Sequence, residues 1–340
     1  MIQAPRQSNY VWLLLLFLGT VYVLNKNNKQ PEYHSIQGMV FGTLYHITYQ
    51  YDEDLQPEIE EAFEIFNQSL SPFYEKSIIS RVNRNEEVVT DTLFRNVFKR
   101  SMEISEQTDG AFDITVAALA NAWGFGFKKG AFPDSLTVDS LLQLTGYTRI
   151  GLEEDRVVKK DPRVLISCSA IAKGYAVDVI GNLLGEKGIT NYMVDIGGEI
   201  VARGNNPKGE HWRIGINRPV DDSLSVNQEL QLILQLTDVG LATSGNYRNF
   251  YYKEGKKYAH TIDPRTGYPV QHTLLSSTVI AEDCMTADAL ATAFMVMGME
   301  EAKQFIARHP GIEACFIYSD ENGELQTELT PDMETYVVRR

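Results

Sequence analysis

The sequence predicts an α+β domain on three grounds. Several short segments alternate apolar and polar residues with a period of two, as half-buried strands do. Others repeat apolar residues at helical spacing, as helices packed by one face do. The two kinds follow one another without the regular strand–helix–strand repeat of parallel α/β folds. Of the 340 residues, 44% are hydrophobic and 22% charged, which supplies a sizeable core and excludes global disorder.

In chain order, Phe41, Thr43, Tyr45, Ile47 and Tyr49 share one face of a strand over 37–51. Pro57 opens a helix carrying Ile59, Ala62, Phe63, Phe66 and Leu70, and Ser71-Pro72 ends it. A helix over 93–107 puts Phe94, Val97, Phe98 and Met102 on one side. Residues 110–130 read as an aromatic loop, followed by a short helix near Ser140 and a strand over 164–168. Ile171, Ala172, Tyr175, Val179, Ile180, Leu183 and Leu184 stripe the next helix, closed by Gly185 or Gly188. Strands are expected at 192–196, 212–216, 230–236, 258–262 and 276–281, then helices at 285–298 and 300–308, and a last strand at 314–318. No repeat or low-complexity linker divides the chain, so residues 36–340 read as one domain.

Ahead of that domain lie a short segment (1–9), an apolar run (10–24) and a polar linker (25–35). The run is shorter than the ~20 residues of a standard spanning helix and long for a signal-peptide core. Trp12 and Tyr22 near its ends suit a membrane interface. It reads as a membrane anchor or a signal sequence. Both place the domain on the extracytoplasmic, periplasmic side of the inner membrane.

The formal net charge is −14. Such a surface repels nucleic-acid phosphates, so no nucleic-acid partner is expected. It also repels any anionic ligand, which must then be met by a metal, a lysine or backbone N–H groups. The three cysteines form no CxxC, which excludes a disulfide scaffold and a zinc site.

No GxGxxG follows a strand, and no P-loop, HExxH or GxSxG is present. Five other segments carry chemistry. In Ala287-Asp288-Ala289-Leu290-Ala291-Thr292, Asp288 and Thr292 lie one helical turn apart, either a carboxylate and a hydroxyl for a hard cation or an aspartate favoured by the helix dipole and a core threonine. Ser167-Cys168-Ser169-Ala170-Ile171-Ala172-Lys173-Gly174-Tyr175 joins a strand to a helix start, where free N–H groups and Lys173 favour phosphate. In His260-Thr261-Ile262-Asp263-Pro264-Arg265, His260 is either a structural histidine or a base, and Arg265 either holds phosphate or pairs with Asp263. Asp109-Gly110-Ala111-Phe112-Asp113, running on to Trp123-Gly124-Phe125-Gly126, sets an aspartate among rings suited to a flat heterocycle. Asp195-Ile196-Gly197-Gly198-Glu199 reads as a tight turn.

Taken in order, these segments resemble the FAD:protein FMN transferase (ApbE) family. Phe41-Gly42-Thr43, Leu70-Ser71-Pro72-Phe73, Ser80-Arg81-Val82-Asn83 and Thr243-Ser244-Gly245-Asn246-Tyr247 belong to the same set. The resemblance implies a single α+β, T-fold-like domain with mixed sheets and flanking helices. It implies FAD as substrate, with contacts from Phe41, Phe73, Ala111, Phe112, Asp113, Lys173 and Ile262, and Mg²⁺ (or Ca²⁺) on the Ala170 carbonyl, Asp288 and Thr292. His260 and Asp288 would be catalytic. The expected reaction moves FMN from FAD to a Ser or Thr hydroxyl of a target protein and releases AMP. The targets implied are extracytoplasmic flavoproteins or redox-pump subunits with a Ser/Thr acceptor motif. The alternatives are a metal-dependent FAD pyrophosphatase giving FMN and AMP, and a non-catalytic, membrane-tethered FAD-binding protein. Three departures stand out. Phe41 replaces the family's usual Met, Ser167 replaces its usual Asp, and an apolar run stands where many relatives carry a lipid-modified cysteine.

Overall fold

The computed structural model describes residues 15–17, 32–127, 132–219, 229–246, 250–253 and 256–338. The apolar run assigned to an anchor or signal sequence lies outside these except for 15–17. Among the described residues no helix is long and apolar enough to cross a membrane.

The chain begins with two strands, β1 (Tyr33–Val40) and β2 (Thr43–Gln50). The single strand expected over 37–51 is therefore a hairpin. It turns at Phe41-Gly42, where both residues have positive φ (52° and 77°), as a two-residue turn matching strand twist requires. Because β1 starts at Tyr33, the last three residues of the segment read as linker are strand.

Helices α1 (Gln56–Leu70), α2 (Ile78–Asn83) and α3 (Thr92–Gln107) follow. A 3-10 turn and the short α4 (Ala117–Ala122) interrupt the stretch expected to be loop. Next come α5 (Ser135–Leu142), a small hairpin of β3 (Ile150–Glu153) and β4 (Arg156–Lys159), and α6 (Ala172–Glu186). The strand expected at 164–168 is buried extended chain outside any sheet. Asn83 holds it instead, donating to Ile166 O and accepting from Ile166 N at 2.8 Å each.

The rest comprises β5 (Tyr192–Ile196), β6 (Glu199–Arg203), β7 (Trp212–Asn217), β8 (Leu230–Leu236), β9 (Val239–Gly245), β10 (Phe250–Lys253), β11 (Lys256–Ala259) and β12 (Leu274–Ala281). After these come α7 (Cys284–Met297), α8 (Met299–Ile306), β13 (Glu313–Ser319) and β14 (Leu325–Leu329).

Eight strands form one sheet in the order β1-β2-β5-β6-β9-β12-β13-β14. That is chain order once the insertions are removed. Every described strand pair is antiparallel, which corrects the expectation of mixed sheets. The reason is geometric: each insertion leaves and re-enters the sheet at the same edge. Residues 51–191, for example, depart beside Tyr49 and return beside its partner Tyr192. A connection closing on itself this way reverses strand direction without a crossover.

Neighbouring side chains on each strand face opposite ways, and both faces are covered. Val201, Ala242, Val279 and Phe316 join the helices in the larger core. Ile200, Leu241, Ile280 and Ile317 pack under the β7–β8 hairpin.

Candidate active site

Two helix starts meet at the site. Gly174, in the first turn of α6, lies against the first turn of α7. A Cβ there would overlap the Cys284 carbonyl and stand 2.7 Å from Asp288 Cβ. Glycine lets the helices approach until Asp288 Oδ2 accepts the Gly174 N–H at 2.9 Å. The tie is reciprocal, because the Asp178 carboxylate of α6 accepts the N–H groups of Cys284 (2.9 Å) and Met285 (2.7 Å). Asp283 caps α7 through Thr286 N at 2.7 Å. Gly174→Ala forces a methyl group into helix backbone and should cost about 1–3 kcal/mol or more. Urea denaturation reads the loss, and an unchanged midpoint would refute the packing argument.

Burial pushes the Asp178 carboxyl up to about 7, against the pull of its two N–H donors. An unfolded aspartate releases its proton near ~3.9. Between those values the folded state holds the extra proton. The stability from this group is therefore complete below ~3.9 and is lost as pH rises towards 7. Asp178→Asn should flatten that part of the pH–stability curve, by on the order of a few kcal/mol. Urea melts at pH 4.5 and pH 7 measure it, and an identical slope in both proteins would contradict the assignment.

Lys173 stands beside these helix starts. Its Nζ lies 2.5 Å from Glu199 Oε2. Burial alone would lower the Lys173 ammonium, but the Glu199 and Asp288 carboxylates together hold it above the usual lysine range. Burial likewise raises Asp288, with Lys173 and the Gly174 N–H opposing it. Two buried carboxylates thus act on one partly exposed ammonium.

Beyond the helix starts opens a cleft of about 170 Å³, with its mouth open to solvent. Its walls bring together Phe73, Ala111, Phe112, Asp113, Ala170, Ile262 and Thr292 from the predicted set, with Ser167, Ser169 and Phe125. Phe73 is 82% exposed at the rim, while Phe112 is buried. Asp113 Oδ1 is taken up by Thr115 N (2.7 Å) and Oγ1 (2.6 Å). Burial raises its carboxyl despite these bonds. Ser167 shares a hydrogen bond with the Ser169 hydroxyl at 3.0 Å.

The remaining predicted residues lie off the cleft wall. Phe41 packs on Phe63 and Phe66, with ring centres 5.7 and 5.2 Å away. Asp288 is one turn before Thr292, and Lys173 is held by Glu199. His260 meets Phe125 edge-on at 6.4 Å and lies two residues before Ile262, both of which line the cleft. Its loop is held by Trp123 Nε1 donating to Gly267 O (2.9 Å) and by Thr261 Oγ1 donating to Asn246 Oδ1 (2.7 Å). Arg265 pairs with Asp263 (3.1 Å) and Glu301 (3.4 Å), which decides between its two readings in favour of the ion pair.

The donors available to a metal are oxygens: the Ala170 carbonyl, the Thr292 hydroxyl and Asp288. Ala170 and Thr292 face the same cleft. Gly174 occupies Oδ2 of Asp288, and no hydrogen bond among the described residues reaches Oδ1. No group of three or more His, Cys, Asp or Glu among the described residues is placed to hold a metal. This donor chemistry fits a hard cation and not a soft one.

Three positioning residues went unrecognised in the sequence. Asn83 and Asp178 sat within recognised segments, but their partners are distant in the chain. Glu199 was hidden in what read as a simple turn.

An antiparallel sheet with helical insertions carries a ring-lined cleft beside two helix starts, with the Ala170 carbonyl and the Thr292 hydroxyl on its wall, a frame suited to a flat aromatic ligand. The chain belongs to the ApbE family, whose model matches residues 41–316. It is 37% identical over 322 residues to the FAD:protein FMN transferase of Vibrio cholerae, covering 91% of this chain and 94% of that protein. The solved structure of Flavin Transferase ApbE from Vibrio cholerae superposes with a TM-score of 0.80 at 34% identity, over 91% of this chain and 100% of that one. The ApbE protein of Thermotoga maritima gives 0.78 at 28% identity, over 91% and 100%.

Proposed function

We propose that this chain is an FAD:protein FMN transferase. The observation that carries the reading is the shared cleft. Ala111, Phe112 and Ile262, read as flavin contacts, line one space with Ala170 and Thr292, read as cation ligands. Membership of the family supports the same reaction.

A target hydroxyl attacks the FMN-side phosphorus of FAD. The new P–O bond forms as the bond to the AMP phosphate breaks, and AMP leaves. His260 accepts the hydroxyl proton. Phe73, Ala111, Phe112, Asp113 and Ile262 hold the flavin and adenine ends, so binding energy far from phosphorus fixes the reacting geometry. Lys173 meets the negative phosphates; the N–H groups expected to join it at the start of α6 are taken, those of Ile171 and Ala172 by Cys168 O, that of Gly174 by Asp288 and that of Tyr175 by Ile171 O. Asp288, Thr292 and the Ala170 carbonyl would hold Mg²⁺, or Ca²⁺ in its place. When bound, such a cation neutralises charge on the phosphate oxygens.

The reading extends to place. Residues 10–24 hold the chain to the inner membrane, or direct it across, with the domain on the periplasmic side. The acceptors there are flavoproteins or redox-pump subunits carrying a Ser/Thr motif. What supports this is the apolar run itself.

The test incubates the protein with FAD, Mg²⁺ and an acceptor domain bearing such a motif, followed by a denaturing gel viewed for flavin fluorescence. A fluorescent acceptor band with one AMP released per FMN attached is expected. Free FMN with AMP and no band would make the chain a pyrophosphatase. Intact FAD would leave a binding protein.

A further inference from the structure

We infer that Glu199 is a positioning residue of the transfer site: it holds the Lys173 ammonium at the start of α6, where the phosphates of the dinucleotide are met. This rests on the proposed transfer reaction, in which Lys173 faces phosphate.

The Gly197-Gly198 turn explains why Glu199 is there. Both glycines have positive φ (71° and 100°), so the strands reverse in two residues and Ile196 pairs with Glu199. A Cβ on Gly197 would stand 2.8 Å from Thr43 Cγ2, which seats the turn on the Phe41-Gly42-Thr43 hairpin. Gly198 N donates to Asp195 Oδ1 at 2.9 Å. With the register fixed, Glu199 lies on the same face of β6 as Val201, towards the helices.

The side chain that results is 4% exposed, and that of Lys173 is 35% exposed. Neither residue lines the cleft, but only Lys173 is partly exposed, so the buried Glu199 acts on ligand through Lys173. A long, flexible lysine loses much rotamer freedom when held, and a buried carboxylate at 2.5 Å meets that cost before FAD arrives. The hairpin, the diglycine turn and the α6 start thereby become one device for aiming a charge.

The test uses Glu199→Gln, which keeps shape and removes charge. The first readout is the reductive methylation rate of Lys173, followed by mass spectrometry on the FAD-free protein. Release of the amine should raise it about tenfold. The second readout is transfer from FAD to an acceptor domain with a Ser/Thr motif. There kcat should fall about tenfold with KM for FAD within about threefold, while the melting curve keeps its cooperativity. Glu199→Asp should recover part of kcat.

An unchanged methylation rate overturns the inference, as does faster methylation with wild-type kcat. A loss confined to melting temperature assigns Glu199 to stability alone and also overturns it. If wild-type protein gives no flavin band, the transferase reading fails. The methylation rate still reports whether Glu199 holds Lys173.

Discussion

Asp288→Ala should abolish both FMN transfer and its dependence on divalent cation while leaving the protein folded. The carboxylate is the one charged member of the proposed oxygen donor set, and Gly174 leaves its Oδ1 for a ligand. Without it, a carbonyl and a hydroxyl make a poor site for a hard cation, which needs anionic oxygen to replace its water shell. Loss of a charge-stabilising group aimed at developing oxyanions costs at least about 10² in kcat. Folding should survive because of the electrostatics around Lys173. Two carboxylates face one ammonium in the wild type, and removing Asp288 leaves a matched Lys173–Glu199 pair. Alanine leaves the Gly174 N–H without its acceptor, at about 1–3 kcal/mol, and relief of a crowded buried carboxylate offsets part of it. Isothermal titration with Mg²⁺ and FAD, beside the fluorescent-band assay, checks both halves. A fully active Asp288→Ala protein that still responds to Mg²⁺ would remove Asp288 from the metal set.

What the sequence disclosed follows from how locally each feature is determined. Strands β5, β12 and β13 and helices α1, α3, α6 and α7 show in their own spacing. Strand β6 did not, because Glu199, Ile200, Val201 and Ala202 are buried on both faces and show no alternation. Strand β9 carries glycines where a strand signal wants side chains. Gly240 is one because a Cβ would overlap the Cys284 backbone at the start of α7. The Phe41-Gly42 turn was legible in principle through Gly42, but the alternation from Phe41 to Tyr49 ran across it.

The site divides the same way. Asp288 and Thr292 share a helix face, so their kinship is written in spacing. The Ala170 carbonyl is main chain, which residue type cannot mark, and only the family resemblance pointed to it. Lys173 read as a phosphate ligand, but its partnership with Glu199 needs β6 and α6 folded together. Ser167 shows the opposite case: the substitution was visible at once, and the fold reveals only its bond to Ser169.

His260→Ala should lower kcat for FMN transfer by about 10²–10⁴, the range for loss of a positioned base, with FAD affinity nearly unchanged. The imidazole lies beside the cleft without forming its wall. It meets Phe125 edge-on, and its chain neighbour Ile262 carries the lining. Removing it therefore spares the apolar surface that binds the flavin. The loop should keep its shape, since Trp123, Thr261 and the Ile262–Pro269 bridge hold it independently of the ring. A change in kcat without a change in binding means that the lost interaction exists only in the transition state. Single-turnover transfer followed by fluorescence, with FAD affinity measured separately by flavin quenching, distinguishes the two. Wild-type transfer by His260→Ala would assign the proton to another group. Loss of FAD binding in step with turnover would make His260 a ligand contact and leave the hydroxyl to be activated in another way.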